Sequence, residues 1–455
     1  MRPLSENDRI TVTVNNREIQ VFDDLTILKA LVMEGIEVPS LCHDVRLKRS
    51  NGNCGLCVVE VTTEGSDTPR DVKACVTPIR PGMTITTHSP RLEEYRKVRL
   101  EQLLCDHNAD CVAPCVQTCP ANIDIQTYLK HVADGNYAAA LRVIKDRNPF
   151  PSVCGRVCPH PCESQCRRNL VEEPVAINHV KRFVADWDRA QDEPWTPRLA
   201  EPTGKKIAIV GAGPSGLSAA YYSAIAGHEV TVFEKQDHAG GMMRYGIPEY
   251  RLPKKTLDEE IDFIKALGVQ IVTGVSLGTQ LHLEDLRRDF DAVYLAIGSW
   301  RASPMRIDGE HLEGVELGID YLRHVTKGAK VDLGETVVVI GGGNTAIDCA
   351  RTALRMGAKN VKLVYRRTRA EMPAEPLEIA EALHENVEMV FLTAPTRITI
   401  GENGRKQVHC VQMRLGEPDR SGRRRPEVVP GSDFVIEADY VIGAIGQTTD
   451  TTFLY

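Results

Sequence analysis

Twelve of the fourteen cysteines fall before residue 167, in three groups of four: Cys42, Cys54, Cys57 and Cys75; Cys105, Cys111, Cys115 and Cys119; Cys154, Cys158, Cys162 and Cys166. A chain of 455 residues can bury a core without staples, so size gives no reason for a disulfide framework. The start, MRPLSENDRI, has no apolar stretch of the kind a secretory leader carries, and a cytoplasmic, reducing location is expected. Thiols kept reduced and grouped in fours point to metal. Zinc sites usually pair CxxC knuckles, whereas Cys54 and Cys57 form the one such pair here; the spacing favours iron-sulfur chemistry with three clusters.

The remaining composition excludes more than it assigns. A hydrophobic content of 42%, a charged content of 26% and a formal net charge of -7 describe a mildly acidic globular chain, with no bias toward nucleic acid or an anionic membrane. No run approaches the roughly 18 apolar residues of a membrane span.

Along the chain, RITVTVNNREIQV alternates apolar and polar residues around an Asn-Asn turn and predicts a hairpin. TILKALVMEGI has helical spacing and ends near Gly35. The loop PSLCHDVRLKRSNGNCGLCVVEV then carries Cys42, Cys54 and Cys57, with glycines that let backbone amides approach cluster sulfurs. RLEEYRKVRLEQLL predicts a helix leading into CDHNADCVAPCVQTCP, and a second helical stretch leads to SVCGRVCPHPCESQC. Its cysteines recur every fourth residue, as on a helix face, but Pro159 and Pro161 argue against a regular helix.

After the linker QDEPWTPRLAEPTG, the segment KKIAIVGAGPSGLSAAYYSAIAGHEVTVFEK reads as strand, turn, helix, strand. Gly211, Gly213 and Gly216, with Pro214 and Ser215 between them, would admit a pyrophosphate to the helix N-terminus. Glu234, followed by Lys235, can hold ribose hydroxyls and repels a 2'-phosphate, which fits FAD. Gly240 and Gly241, with Arg244 just beyond, could bring backbone close to a flavin. A second fingerprint, TVVVIGGGNTAIDCARTALRMG, places Gly341, Gly343, Asn344, Thr345 and Ala346 at the same turn. Its following strand ends at Arg366 and Arg367 with Arg369 close by, and guanidinium groups there favour NADP(H) over NAD(H). DRSGRRRPE reads as a solvated hairpin turn, and Cys349 and Cys410 as core residues.

These motifs carry resemblances. Residues 8 to 90 resemble the 2Fe-2S domain that opens the large iron-sulfur subunit of respiratory complex I, which implies a β-grasp ferredoxin fold with Cys42, Cys54, Cys57 and Cys75 as ligands. The two later cysteine blocks and both fingerprints resemble the glutamate synthase small subunit, dihydropyrimidine dehydrogenase and the ferredoxin:NADP oxidoreductase large subunit. That likeness implies two 4Fe-4S clusters, one on Cys111, Cys115 and Cys166, the other on Cys119, Cys158 and Cys162. Cys105 or His107 is the expected fourth ligand of the first. For the second, the relatives' ligand aligns with Lys181, which cannot ligate iron when protonated, so Cys154 is the candidate. The likeness also places Gly298 at a crossing between nucleotide domains.

The expected architecture is multidomain, α+β and α/β: a 2Fe-2S domain over residues 1–92, a helical cluster domain over 93–195, and tandem Rossmann-like domains. These are an FAD domain over 196–315, an NADP(H) domain over 316–436, and a return strand of the FAD domain over 437–455; relatives continue further, so the C-terminal part of the FAD domain is expected to be missing here. The resemblance implies an NADPH-linked oxidoreductase without a catalytic side chain, the cofactors carrying the chemistry. Electrons would run between NADPH, FAD, the 4Fe-4S clusters and the 2Fe-2S cluster. Its partner would be ferredoxin or a complex I like flavoprotein, hydrogenase or formate dehydrogenase subunit, with electron bifurcation, as in a transhydrogenase, within reach. The alternatives are a glutamate synthase small subunit and a relay and docking scaffold.

Overall fold

A computed structural model describes residues 9–44, 50, 52–66, 68–106, 111–419 and 422–452. They fall into two compact units, Met1–Cys111 and Val112–Tyr455.

In the first unit, β1 (Arg9–Val14) and β2 (Arg17–Phe22) form the expected antiparallel hairpin. Its turn residues Asn15 and Asn16 have φ of 48° and 65°, the left-handed pair that a two-residue turn needs and asparagine tolerates. Helix α1 (Ile27–Met33) starts at Thr26, whose side chain accepts from the Lys29 amide, and buries Ile27, Leu28 and Leu31. With β3 (Val58–Thr62), β4 (Arg70–Lys73) and β5 (Thr84–Thr86) the sheet order is β2-β1-β5-β3-β4, with β1 and β5 parallel. This is the β-grasp arrangement. Helix α2 (Pro90–Cys105) belongs here too, because buried Arg96 donates to the carbonyls of Leu56, Val58 and Thr87 at 3.1, 2.7 and 2.9 Å. The first compact unit accordingly takes in α2 and runs to Cys111.

The second unit opens with short helices: α3 (Pro114–Thr118), α4 (Ile125–Ala133), α5 (Tyr137–Lys145), α6 (Pro151–Val157), α7 (Pro161–Ser164) and α8 (Ile177–Arg189). The prolines break the cysteine block as expected, and His160 between α6 and α7 takes φ 37°. Tyr128, Leu141, Ile144, Ile177 and Val184 form their core together with Cys162.

A parallel sheet follows in the order β8-β7-β6-β9. It comprises β6 (Lys206–Val210), β7 (Glu229–Glu234), β8 (Gln270–Thr273) and β9 (Ala292–Leu295), with helices α9 (Pro214–Ile225), α10 (Met242–Tyr245), α11 (Lys254–Ala266) and α12 (Leu283–Asp289) between them. The chain crosses at β10 (Arg301–Ala302) into a second sheet. That sheet gathers β11 (Val315–Leu317), β12 (Thr336–Ile340), β13 (Asn360–Val364) and β14 (Glu388–Val390), with α13 (Gly318–Thr326), α14 (Asn344–Arg355) and α15 (Pro376–His384). An antiparallel layer of β15 (Thr393–Ile400), β16 (Lys406–Pro418), β17 (Arg424–Val428) and β18 (Phe434–Ala438) packs on it, and β16 and β17 pair antiparallel, while Arg420 and Ser421 of the expected turn lie outside the described residues.

The last segment corrects an expectation. β19 (Tyr440–Gly443) is not a return strand of the first nucleotide domain; it lies between β11 and β12 in the second sheet, with Val441 and Ile442 fully buried. The returning element is β20 (Gln447–Thr448), paired antiparallel with β10. Cys349 and Cys410 are core residues, their thiols raised by burial, Cys410 to about 12.

Candidate functional site

In the first unit the sheet brings Cys42, Cys54, Cys57 and Cys75 within electrostatic reach of one another. Burial and then the Cys57 thiol push Cys75 up to about 12. At Cys54 burial also raises the thiol, but the amides of Leu41, Leu56 and Cys42 and the Cys42 thiol outweigh it and bring it to about 7. Amides that favour a thiolate are what an iron-bound cysteinate needs. Gly55, between Cys54 and Cys57, takes φ 75°, and a side chain there would press on Arg99 of α2. Arg99 Nε is buried with no hydrogen-bond partner among the described residues, a donor waiting for an acceptor beside the thiols. The donor set fits an anionic cluster.

In the second unit Cys115 interacts with Cys166 and Cys119, and Cys162 with Cys158 and Cys119. Burial raises both thiols, Cys162 to about 11. Tyr128 stands among them: burial first, then the thiols of Cys162, Cys119 and Cys115, holds its hydroxyl far above its ordinary range, and the hydroxyl donates to Ile177 O at 2.9 Å. The left-handed turn at His160 aims its amide at Cys158 Sγ, 3.3 Å away, again a donor that suits a cluster-bound sulfur.

Cys154, one turn before Cys158 and within its electrostatic reach, also packs against the core of the first nucleotide domain; its Sγ is 3.6 Å from Asn148 Oδ1, and burial raises it to about 11 while Lys181 draws it down. Cys105, at the end of α2, and Cys111 are exposed and fall in the first unit; Cys115 and Cys166 fall in the second. His107 lies outside the described residues.

The first fingerprint is built by close approach. A Cβ on Gly211 would meet the Ala296 carbonyl oxygen, and one on Gly216 the carbonyl oxygen of Gly211. Gly240 donates to Ala212 O at 2.8 Å, and a Cβ on Gly241 would lie 2.6 Å from Gly213 Cα, so the second glycine pair closes over the turn. Pro214 is the first residue of α9, and Ser215 Oγ bonds Tyr294 Oη at 2.8 Å. Glu234 is buried at the end of β7 and accepts from the amides of Ala212 and Gln236, both at 2.7 Å, which aims its carboxylate at the turn. Such a cradle fits a dinucleotide. Lys235 is exposed, and Gly298 takes φ 69° beside the Trp300 ring. Arg244 folds back onto its own segment, donating to Ala239 O at 2.6 Å and pairing with Asp258.

The second fingerprint repeats the device. A Cβ on Gly341 would meet the Ala444 carbonyl oxygen, and one on Gly342 the Tyr365 ring, a contact the glycine pattern alone does not reveal. Gly343 is open, Ala346 is fully buried, Thr345 is half-buried, and Asn344 Oδ1 accepts from the Glu375 amide at 2.9 Å. The arginines divide. Arg366 and Arg369 are exposed and make no ion pair among the described residues, whereas Arg367 is buried, paired with Asp419 at 2.8 Å and donating to Arg424 O at 2.7 Å. Arg367 thus ties the strand end to the β16–β17 hairpin.

A network that sequence reasoning missed joins the two nucleotide domains. Arg251 donates to both Asp348 oxygens at 2.9 and 2.8 Å and pairs with Glu378 at 2.9 Å. Arg351 pairs with Glu378 and Glu385 at 2.6 and 2.7 Å, and Arg351 and Arg355 stack on the Tyr250 ring, 4.7 and 3.9 Å from its centre. Lys254, just after it, donates to the carbonyls of Met243, Ile247 and Leu252 at 3.3, 2.6 and 3.1 Å, and burial brings its ammonium to about 8.

Residues 205–455 match the family described as pyridine nucleotide-disulphide oxidoreductase, residues 98–193 the 4Fe-4S domain II of dihydropyrimidine dehydrogenase, and residues 7–90 a 2Fe-2S cluster binding domain. The NADPH-Fe(3+) oxidoreductase subunit beta of Geobacter sulfurreducens is 47% identical over 353 residues, 75% of this chain and 52% of that protein. The NADP(+)-dependent formate dehydrogenase subunit beta of Moorella thermoacetica is 45% identical over 366 residues, with the same coverages of 75% and 52%. The NADPH glutamate synthase small chain of Escherichia coli K12 is 35% identical over 380 residues, 80% of this chain and 79% of that one. The chain thus spans about half the length of the first two relatives. Among solved structures, Mycobacterium tuberculosis FprA in complex with NADPH aligns with a TM-score of 0.48 and 21% identity, over 55% of this chain and 72% of that one. No helix among the described residues is long and apolar enough to cross a membrane.

Proposed function

This chain belongs to the pyridine nucleotide-disulphide oxidoreductase family, with a 2Fe-2S and a 4Fe-4S domain on the same polypeptide, and from that premise we propose that it moves electrons between NADPH and a redox partner through FAD and iron-sulfur clusters. One observation carries the reading. Phe150 and Val153 of the thiol-bearing segment, with Cys154 and Val157 beside them, are part of the hydrophobic core of the first nucleotide domain, alongside Ile209, Leu217 and Val232. The helix that ends at Cys158 is therefore built into the wall of the domain that carries the dinucleotide turn, as short-range electron transfer requires.

Bound FAD would supply the conversion between two-electron hydride chemistry and one-electron cluster chemistry. The chain's part is to hold and orient. Glu234 takes the ribose hydroxyls, Gly211, Gly213 and Gly216 admit the pyrophosphate to α9, and Gly240 and Gly241 close over it. Gly341, Gly343 and Ala346 do the same for the nicotinamide nucleotide at α14, while Arg366 and Arg369 take the 2'-phosphate. Cys119, Cys158 and Cys162 hold one 4Fe-4S cluster, with Cys154 as the candidate fourth donor, and Cys115 and Cys166 serve the other. The 2Fe-2S domain is the port for the partner, a further redox subunit or ferredoxin.

An anaerobic visible spectrum, followed through titration with NADPH and separately with NADH, tests this. Bleaching of flavin and cluster absorbance by NADPH is expected; iron-sulfur absorbance that neither nucleotide changes would reduce the chain to a relay. Cys162→Ser should lower bound iron by about one cluster's complement, and unchanged iron would refute the ligand set.

A further inference from the structure

Lys181 lies on the face of α8 that also carries Ile177, Val184 and Asp188, and it is 7% exposed. Its ammonium has no hydrogen bond or ion pair among the described residues. The other buried cations of this unit are compensated: Arg351 by Glu378 and Glu385, Arg367 by Asp419, and Lys145 by the Phe263 ring, 3.5 Å from its centre, with Glu260 and Asp188 nearby. Lys181 Nζ is not among the enclosed unpaired atoms, so a largely buried stem presents a charge that has no partner among the described residues, an arrangement that favours an anion beside it. Ile177 and Val184, on the same face of α8, share a hydrophobic core with Cys162, and Cys115 and Cys119 pack against that core, so the face that carries Lys181 is the one turned to the thiols; Cys162 and Cys154 feel its charge. The carboxylate nearest to Cys162 is Glu163, which is committed to the Asn178 amide at 2.8 Å and to His160 at 3.1 Å.

We infer that Lys181 is the fixed counter-charge of the iron-sulfur cluster carried by Cys119, Cys158 and Cys162, and that it raises the reduction potential of that cluster. The inference rests on the ligand reading above. Cysteinate ligation leaves a cluster with net negative charge, and uptake of one electron makes it more negative by one. A cation fixed beside the sulfurs in a water-poor site favours the reduced form over the oxidised one. The electron comes from the titrant or the flavin, and no proton or bond change at Lys181 is involved.

The test is an EPR-monitored redox titration of the full chain, with iron and sulfide counted for each variant. Wild-type cluster content checks the ligand reading separately. Lys181→Met, which keeps length but removes charge, should keep its iron and lower the reduction equilibrium constant of one 4Fe-4S cluster about tenfold, ~59 mV for one electron. Lys181→Arg should stay within about threefold of wild type, because it keeps the charge. Loss of that cluster from Lys181→Met with retention in Lys181→Arg supports the same role. A full cluster complement with an unshifted midpoint in Lys181→Met overturns it, as does an equal shift or equal cluster loss in both variants, which would make Lys181 a packing residue.

Discussion

Exchanging Arg366 and Arg369 together for glutamate should raise the KM for NADPH on the order of 10³-fold and move that for NADH less than about threefold. The two guanidinium groups are exposed beyond β13, Arg369 in the turn that follows, and have no carboxylate partner among the described residues, so both can pair with a 2'-phosphate. A hydrogen bond to a charged group contributes about 1.5–3 kcal/mol, and losing two amounts to about 4 kcal/mol before repulsion from the new carboxylates is counted. NADH lacks that phosphate and does not report the change. Arg367→Ala is the control: its guanidinium holds Asp419 and the Arg424 carbonyl, so its loss loosens the hairpin and should affect both nucleotides alike. Steady-state kinetics with each nucleotide decide the matter. Equal effects of the double exchange on both would remove the 2'-phosphate assignment.

Truncating Asp348 to alanine should cost about 1–3 kcal/mol of stability, because Arg251 loses the carboxylate that accepts from its Nη1 and keeps only Glu378. Combining it with Arg251→Met should cost less than the sum of the single changes, since the orphaned charge goes with its partner. Denaturant midpoints of the four proteins give the cycle. Single costs below about 1 kcal/mol that simply add would show that the pair does not clamp the two domains. The neighbouring Glu385 adds a pH signature. Hydrogen bonds from Arg355, then from Arg351, hold its carboxyl at about 2 against burial. Its folded value lies below its unfolded one, so this contribution is present above about pH 4.5 and is lost as pH falls toward 2.

Much of the site was legible because it depends on local chemistry. Gly211, Gly216 and Gly341 announce themselves, since another backbone occupies the space a Cβ would need. The cysteine blocks were legible because ligation needs thiols and little else can replace them. The arginines were read less well. Arg366 and Arg367 lie in a bend just after β13, where no strand alternation sorts their side chains, and only the tertiary pairing of Arg367 with Asp419 separates them. Other features leave no local trace. Arg251 and Asp348 are 97 residues apart, and nothing near either names its partner. Arg96 sits on a helix dense in charge, yet it is buried against three carbonyls, of Leu56 and Val58 at the start of β3 and of Thr87 just after β5. The segment YVIG fits either nucleotide sheet equally well by composition, and only the pairing of β19 with β11 and β12 assigns it.

Between the two nucleotide domains the polypeptide passes twice, and β10 and β20 bond the passages into one ribbon, Arg301 opposite Thr448 and Ala302 opposite Gln447. A lone connecting strand can swivel in any direction. A paired ribbon bends across its face and resists twisting in its plane. Displacing the second domain against the first would therefore strain two bonded passages rather than one, and would also have to part Arg251 from Asp348.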